Sequence, residues 1–128
     1  MIRSAAIQVG QIIKQEVTDF NDSNLFILQT IPEKILQKKQ FPLVRIDALP
    51  TSSNTYFSNK KRFEEVGCQI NLFVKTNKEM DTYLTQIEQI LSSHQFECFF
   101  STTKFVNEYD VHHLIIRVQK YQNLKGVF

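Results

Sequence analysis

The residues of this chain that could carry chemistry are two cysteines, three histidines and a few groups of carboxylates. Cys68 lies in an alternating segment whose other members on the same face are apolar, and Cys98 would share a strand face with Phe96 and Phe100. A cysteine nucleophile needs a nearby base and an exposed, electropositive setting. We therefore predict that both thiols are buried structural residues, neither catalytic nor joined in a disulfide.

The histidines do not form a metal-binding pattern. His112 and His113 are adjacent, so on a strand they point to opposite faces and cannot both bind one metal ion. Zinc sites usually hold two cysteines or two histidines separated by a few residues, and the sequence contains neither arrangement. Cys98 and His112 form the pair that two neighbouring strands could bring together. We expect no metal ion and no cofactor.

The carboxylates give no clear catalytic pattern either. A metal-dependent nuclease needs acidic side chains that converge at strand ends, often beside a lysine. Asp47, Glu65 and Lys75 could form such a set, but their spacing is not distinctive, and charged loop residues explain them equally well. Phosphate-binding glycine loops are excluded, because the chain contains only three widely separated glycines. We predict that the chain is not an enzyme.

The first third of the chain predicts two helices and a short strand. Apolar residues at spacings of three and four run through residues 2–17, which is typical of a helix that packs against a core. Four apolar residues at 25–28 suit a short buried strand. Thr30 and Glu33 fit a capping box that opens a short helix ending near Lys39.

The remainder predicts strands arranged around one long helix. The predicted elements are strands over residues 43–49 and 66–75, a helix capped by Thr76 and Glu79, and strands over 96–105 and 109–121. Such an order is typical of an α+β fold, with a mixed, mainly antiparallel sheet of about four to five strands flanked by helices. With 128 residues, the chain is expected to form a single domain over residues 1–128.

Composition excludes some classes of protein. Fifteen Lys and Arg against thirteen Asp and Glu give a net charge of +2, whereas nucleic-acid binders usually carry a strong basic excess. No apolar stretch approaches the ~20 residues that span a bilayer, and the N-terminus does not resemble a signal peptide. We therefore expect a cytosolic protein with no membrane contact and no specific nucleic-acid partner.

The long connection over residues 50–63 is the best candidate for a partner-binding segment, and we expect it to be mobile. Connections of this length in a compact domain are usually functional or disordered. Aromatic and basic residues are interspersed in it, and such residues anchor many protein interfaces. The candidate residues are Tyr56, Phe57, Lys60, Lys61, Arg62 and Phe63. Alternatively, the aromatic residues only attach the loop to the core and the basic ones keep it soluble.

Several segments together resemble a known family. The strand FPLVRI at 41–46 precedes a polar loop, and CQINLFV at 68–74 leads at once into a capped helix and two closing strands. Over roughly residues 40–121, this arrangement resembles the tail terminator, or tail completion, proteins of long-tailed bacteriophages of Gram-positive hosts. The strand QINLFVKT followed directly by the helix NKEMDTYLTQIEQILSSHQF is the most characteristic part.

The resemblance implies a structural virion protein rather than an enzyme. It implies a hexameric homo-oligomeric ring that ends the tail tube and binds the tail tube protein and the head-side connector. Such a protein would be found in the host cytoplasm during assembly and then in the virion tail. Another phage neck or head–tail adaptor protein is the nearest alternative. A small metal-dependent nuclease or nucleic-acid-binding domain is the alternative from a different class.

Overall fold

The computed structural model describes residues 4–49 and 67–120. Within these ranges, the chain forms three α-helices and five β-strands. In order they are α1 (Ala5–Glu16), β1 (Leu25–Ile27), α2 (Glu33–Gln37), β2 (Leu43–Ala48), β3 (Gly67–Val74), α3 (Asn77–Ser93), β4 (Phe96–Val106) and β5 (Val111–Lys120). Each predicted element of the described ranges is present, with bounds that differ by a few residues.

The strands form one open sheet in the order β1-β2-β3-β5-β4. β1 pairs with β2 in parallel, and the three other pairings are antiparallel. The predicted α+β fold with a mixed, mainly antiparallel sheet is therefore confirmed. The two edges of the sheet are the short strand β1 and the long strand β4.

The main core lies between one face of the sheet and the two long helices. Side chains alternate between the faces of a strand, so every second residue of β2, β3 and β5 points toward α1 and α3. These residues are fully buried: Val44, Ile46, Cys68, Ile70, Leu72, Val74, Leu114, Ile116 and Val118. Gly10 lets α1 approach the sheet closely, because a Cβ atom there would overlap the side chain of Ile27.

The opposite face of the sheet, called here the open face, is covered at one end only by the residues that the structure describes. There α2 and the segments around it enclose a smaller apolar cluster built on Phe26, Ile31 and Leu43. Phe73 of β3 packs at the margin of this cluster. Most of the rest of the open face carries polar side chains, with Ile115 of β5 among them, as is common for antiparallel sheets with one solvated face.

One of the two predicted capping boxes forms. At α3, the Glu79 amide donates to Thr76 Oγ1 at 3.1 Å, and the Thr76 amide donates to Glu79 Oε1 at 3.3 Å, as predicted. At α2, the capping box at Thr30 is wrong: Pro32 occupies the N-cap and no side chain caps the helix. Because the helix begins at Glu33, that residue is the first of the helix rather than the third, and Ile31 before it is buried in the smaller cluster.

A β-bulge in β4 corrects a second prediction. Cys98 pairs with Val118 and Phe100 pairs with Arg117, so Phe99 is an extra residue on the bulged strand. For the residues that follow it, the extra residue reverses the alternation of side chains between the two faces of the sheet. Cys98 therefore points to the core face and Phe100 to the open face, and the expectation that they share a face was wrong.

Among the helices of the described ranges, none combines the length and apolar character required to cross a membrane.

Candidate interaction surface

Strand β4 carries three of the four exposed large apolar side chains of the described residues. β4 pairs with β5 on one side, and no other described strand lies on its second side. All residues from Phe99 to Phe105 are exposed, and the three phenylalanines in this run are each between 44% and 47% exposed. We call residues Phe96–Val106 the β4 edge. Unpaired backbone groups on such a strand are a template for another chain.

Two aromatic rings of the β4 edge are held by neighbours on β5. The guanidinium carbon of Arg117 lies 5.2 Å from the centre of the Phe100 ring, which is a cation–π distance. Phe105 meets the ring of His112 edge-on, with 5.1 Å between the ring centres. Because these contacts already restrict the rotamers of Phe100 and Phe105, binding of a partner would cost less side-chain conformational entropy.

A second feature is a row of hydrogen-bonded polar side chains on the open face, called here the polar strip. Its members are Arg45, Asp47, Gln69, Asn71, His113 and Arg117. Asn71 lies at its centre and is the one polar residue buried in the described ranges, with an exposed fraction of 1%. Burial of an amide is tolerated only when its donors and acceptors are paired.

The Asn71 amide is fully paired. Its nitrogen donates to the backbone carbonyl of Arg45 at 3.3 Å and to Asp47 Oδ2 at 2.9 Å. Its oxygen accepts from Gln69 Nε2 at 3.0 Å and lies 3.0 Å from Nε2 of His113. Asp47 also binds Arg45 in a salt bridge of 3.0 Å. The strip thus links β2, β3 and β5 side by side.

His113 is a neutral hydrogen-bond donor in this network. The amide oxygen of Asn71 can only accept, so His113 Nε2 must carry the hydrogen. Partial burial, followed by the positive charges of Lys104 and Arg45, lowers the pKa of His113 to about 4. The imidazole also stacks on Phe73, with 4.4 Å between ring centres. These contacts explain His113 as a structural residue.

The cysteines lie where a nucleophile would be poorly placed. Cys68 is fully buried, as predicted, whereas Cys98 is only partly buried. Burial, together with the hydrogen bond to Glu88 and the negative charge of that residue, raises the pKa of Cys98 to about 11. Its Sγ donates weakly to the carbonyl of Phe100 at 3.8 Å. The Cys98 thiol is therefore protonated at neutral pH.

The conceivable metal and nuclease sets are not brought together. Cys98 lies opposite Val118, and Val118 and His112 are six positions apart along β5, or about 20 Å. The histidines His112 and His113 occupy opposite faces, as predicted. Over residues 4–49 and 67–120, no group of three or more His, Cys, Asp and Glu could hold a metal ion.

Asp47 and Lys75 are also far apart. Asp47 lies opposite Gln69, near the start of β3, whereas Lys75 follows the other end of that strand. Six residues of extended chain separate Gln69 from Lys75, a distance of about 20 Å. Glu65, the third residue of the possible nuclease set, falls outside the described residues.

The predicted partner-binding loop also lies outside the described residues. Residues 50–66 are not described, and they include all six candidate residues: Tyr56, Phe57, Lys60, Lys61, Arg62 and Phe63. Their role in partner binding stays a prediction. The β4 edge was not among the candidate sites predicted from the sequence. The signal for this edge was the aromatic run FECFF. The run lies in a predicted strand, but the position of that strand at an edge of the sheet was not predicted.

The described surface offers groups that another chain could bind. An edge strand offers unpaired backbone donors and acceptors, and its exposed rings offer apolar area that a partner could cover. No protein-family model, no curated protein and no solved structure matches the chain.

Proposed function

We propose that the chain is a structural subunit of a long-tailed bacteriophage, which forms a hexameric ring that ends the tail tube and joins it to the head-side connector. The proposal rests on the resemblance of residues 40–121 to tail terminator proteins. The described order in this region, with β2 and β3 followed by the capped helix α3, β4 and β5, is consistent with that resemblance. The observation that carries the proposal is the exposed β4 edge.

A ring is built from one contact repeated by rotation, so each subunit needs two different complementary patches. The β4 edge supplies one such patch, with eleven residues of strand and exposed phenylalanine rings on both faces of the sheet. The second patch would lie elsewhere on the subunit, and the predicted loop over residues 50–63 is a candidate for contact with the tube or the connector.

The apolar contribution of one β4 edge to a ring contact is small on its own. Each ring of the β4 edge is already about half buried, so covering the rest contributes about 1 kcal/mol per phenylalanine. Three rings then contribute about 3 kcal/mol, which is smaller than the ~4–15 kcal/mol that association costs in lost translational and rotational freedom. Contacts with the end of a tail tube would add to this favourable apolar contribution and would restrict ring formation to the tube end.

The proposal is tested by assembling tail tubes with and without the chain. The tail tube protein encoded in the same phage genome is co-expressed with the wild-type chain or with Phe99→Ser/Phe105→Ser. Electron microscopy then measures the lengths of the tubes and detects a terminal ring. We expect tubes of defined length that carry a ring with the wild type, and unregulated tubes with the double variant.

Leu28→Ser is the matched control, because Leu28 is 48% exposed and lies beside the opposite edge of the sheet. This variant loses a similar exposed apolar side chain, and we expect it to cap tubes normally. Tubes with the same length distribution in the presence and absence of the wild-type chain would refute a terminator role. Binding to connector protein but not to tube ends would instead identify a different neck protein.

A further inference from the structure

The β4 edge carries two charged residues, one near each end. Glu97 lies opposite Gln119 and Lys104 lies opposite His113, so both side chains are on the open face. Neither forms a hydrogen bond or an ion pair within the chain, as far as the described residues extend. The edge therefore has one unpaired negative charge, one unpaired positive charge and no net charge.

The register of β4 makes these two charges symmetric about one residue. Ile116 lies midway between Gln119 and His113 on β5, and its partner on β4 is Ser101. We propose that the β4 edge pairs antiparallel with the β4 edge of a second copy of this chain, about a two-fold axis at Ser101. Glu97 of each copy then faces Lys104 of the other on the open face.

The β-bulge does not disturb this pairing, because both copies carry it. On each strand, the four positions from Glu97 to Ser101 include the extra residue Phe99, so they span the same length as the three positions from Ser101 to Lys104. Cys98 then faces Thr103 of the second copy, and Phe100 faces Thr102 of the second copy. The contact joins two five-stranded sheets into one continuous sheet and pairs the outward backbone groups of both edges.

Other occupants of the edge fit less well. Parallel pairing of two β4 edges in the same register would place Glu97 against Glu97 and Lys104 against Lys104, and like charges directly opposite are destabilising. The other described edge of the sheet, β1, has three residues, Leu25–Ile27, and none is charged. Charge complementarity thus favours a second β4 edge in antiparallel orientation.

This pairing concerns the free protein and does not depend on the proposed function. A two-fold contact uses the same patch on both copies and closes after two, so it cannot extend into a ring. If the chain also caps tail tubes, the pair would cover the β4 edge until a tube end displaces one copy. Loss of pairing with normal capping, or the reverse, would separate the two proposals.

Charge reversal tests the proposed contact. Glu97→Lys places two lysines opposite each other at both ends of the pair, and Lys104→Glu does the same with glutamates. We expect each single variant to raise the dimer dissociation constant at least about tenfold at low salt. The double variant Glu97→Lys/Lys104→Glu restores both opposite-charge pairs, so we expect it to dimerise like the wild type. Sedimentation velocity across a concentration series measures all four proteins.

Cysteine cross-linking tests the position of the axis, in a Cys98→Ser background with Cys68 left buried. Ser101 lies on the axis, so Ser101→Cys should form a disulfide-linked dimer under mild oxidation. Thr102→Cys is the control, because the two Thr102 positions are offset diagonally by about 7–8 Å, which is too far for a disulfide. A wild-type chain that stays monomeric at high concentration would overturn the proposal. So would a double charge variant that fails to recover, or equal cross-linking at both positions.

Discussion

His113 Nε2 lies 3.0 Å from the side-chain oxygen of Asn71, the one polar residue buried in the described part of the chain. The contact crosses from β5 to β3, and the same amide continues the network to Asp47 on β2. A single amide thus connects three adjacent strands through side chains, in addition to their backbone ladders. The strands that carry the polar strip also support β4, because β5 is its neighbour in the sheet.

We expect Asn71→Leu to destabilise the fold. Leucine has a similar volume, but it leaves Asp47, Gln69 and His113 without the amide that pairs them. Buried or half-buried polar groups that lose a partner cost about 1–3 kcal/mol. Urea unfolding followed by circular dichroism gives the change in the free energy of unfolding. Gln119→Leu is the control on an exposed position, with an expected change within about 0.5 kcal/mol. Equal effects of the two substitutions would mean that the polar strip contributes nothing specific.

Stability should fall with acid because of His113. Its pKa is lowered to about 4 in the folded chain from an ordinary value of 6.5, so between these values the unfolded chain binds more protons. The stabilisation is therefore complete above about pH 6.5 and is lost progressively as the pH falls toward about 4. Because the ring is only half buried and solvent screens its neighbours, we expect a loss of about 1–2 kcal/mol.

Comparison with His113→Gln isolates the contribution of His113 titration to the free energy of unfolding, since glutamine can donate to Asn71 but does not titrate. The difference in the free energy of unfolding between wild type and variant should change with pH across this window. A difference that is constant between about pH 7 and about pH 4.5 would show that His113 titrates normally in the folded chain.

The sequence predicted β3 and α3 well because their patterns are unambiguous. β3 alternates apolar and polar residues over most of its length, and α3 combines an apolar stripe with a complete capping box at Thr76 and Glu79. Local signals of this kind determine local structure directly. The capping box predicted at Thr30 did not form, because the helix begins at Glu33, which places Glu33 at the first helical position rather than the third. Ile31, between these two residues, is buried by contacts with residues distant in sequence.

The interaction surface could not be predicted in the same way. The bulge at Phe99 has no glycine to mark it, so Phe100 was assigned to the wrong face of the sheet. Asn71 alternates outward like an exposed residue, and only the neighbouring strands reveal that it is buried. That β4 lies at an edge follows from the strand order, which no local pattern specifies.

The two cysteines should be dispensable for assembly. Cys68→Ala removes a fully buried side chain and should reduce the free energy of unfolding by about 1–3 kcal/mol through lost packing. Cys98→Ser should have a smaller effect, and the raised pKa of Cys98 predicts slow alkylation by iodoacetamide at neutral pH. Loss of an activity in either variant at an unchanged melting temperature would contradict a structural role for these thiols.

The basic cluster of the predicted loop should be needed for assembly and not for folding. Replacing Lys60, Lys61 and Arg62 together by serine changes three residues of a polar connection, and surface substitutions usually alter stability by about 0.5 kcal/mol or less each. If the loop binds the tube or the connector, this variant should leave tubes of uncontrolled length or tails that do not join heads. Lys38→Ser/Lys39→Ser is the matched control, because both lysines are exposed at the end of α2. Complementation of a terminator-deficient phage by the wild type and by each of the two variants, counted as infectious particles, measures the effect. If the triple variant complements as well as the wild type and the control do, the loop is a solvated connection, and partner binding must be assigned to surfaces such as the β4 edge.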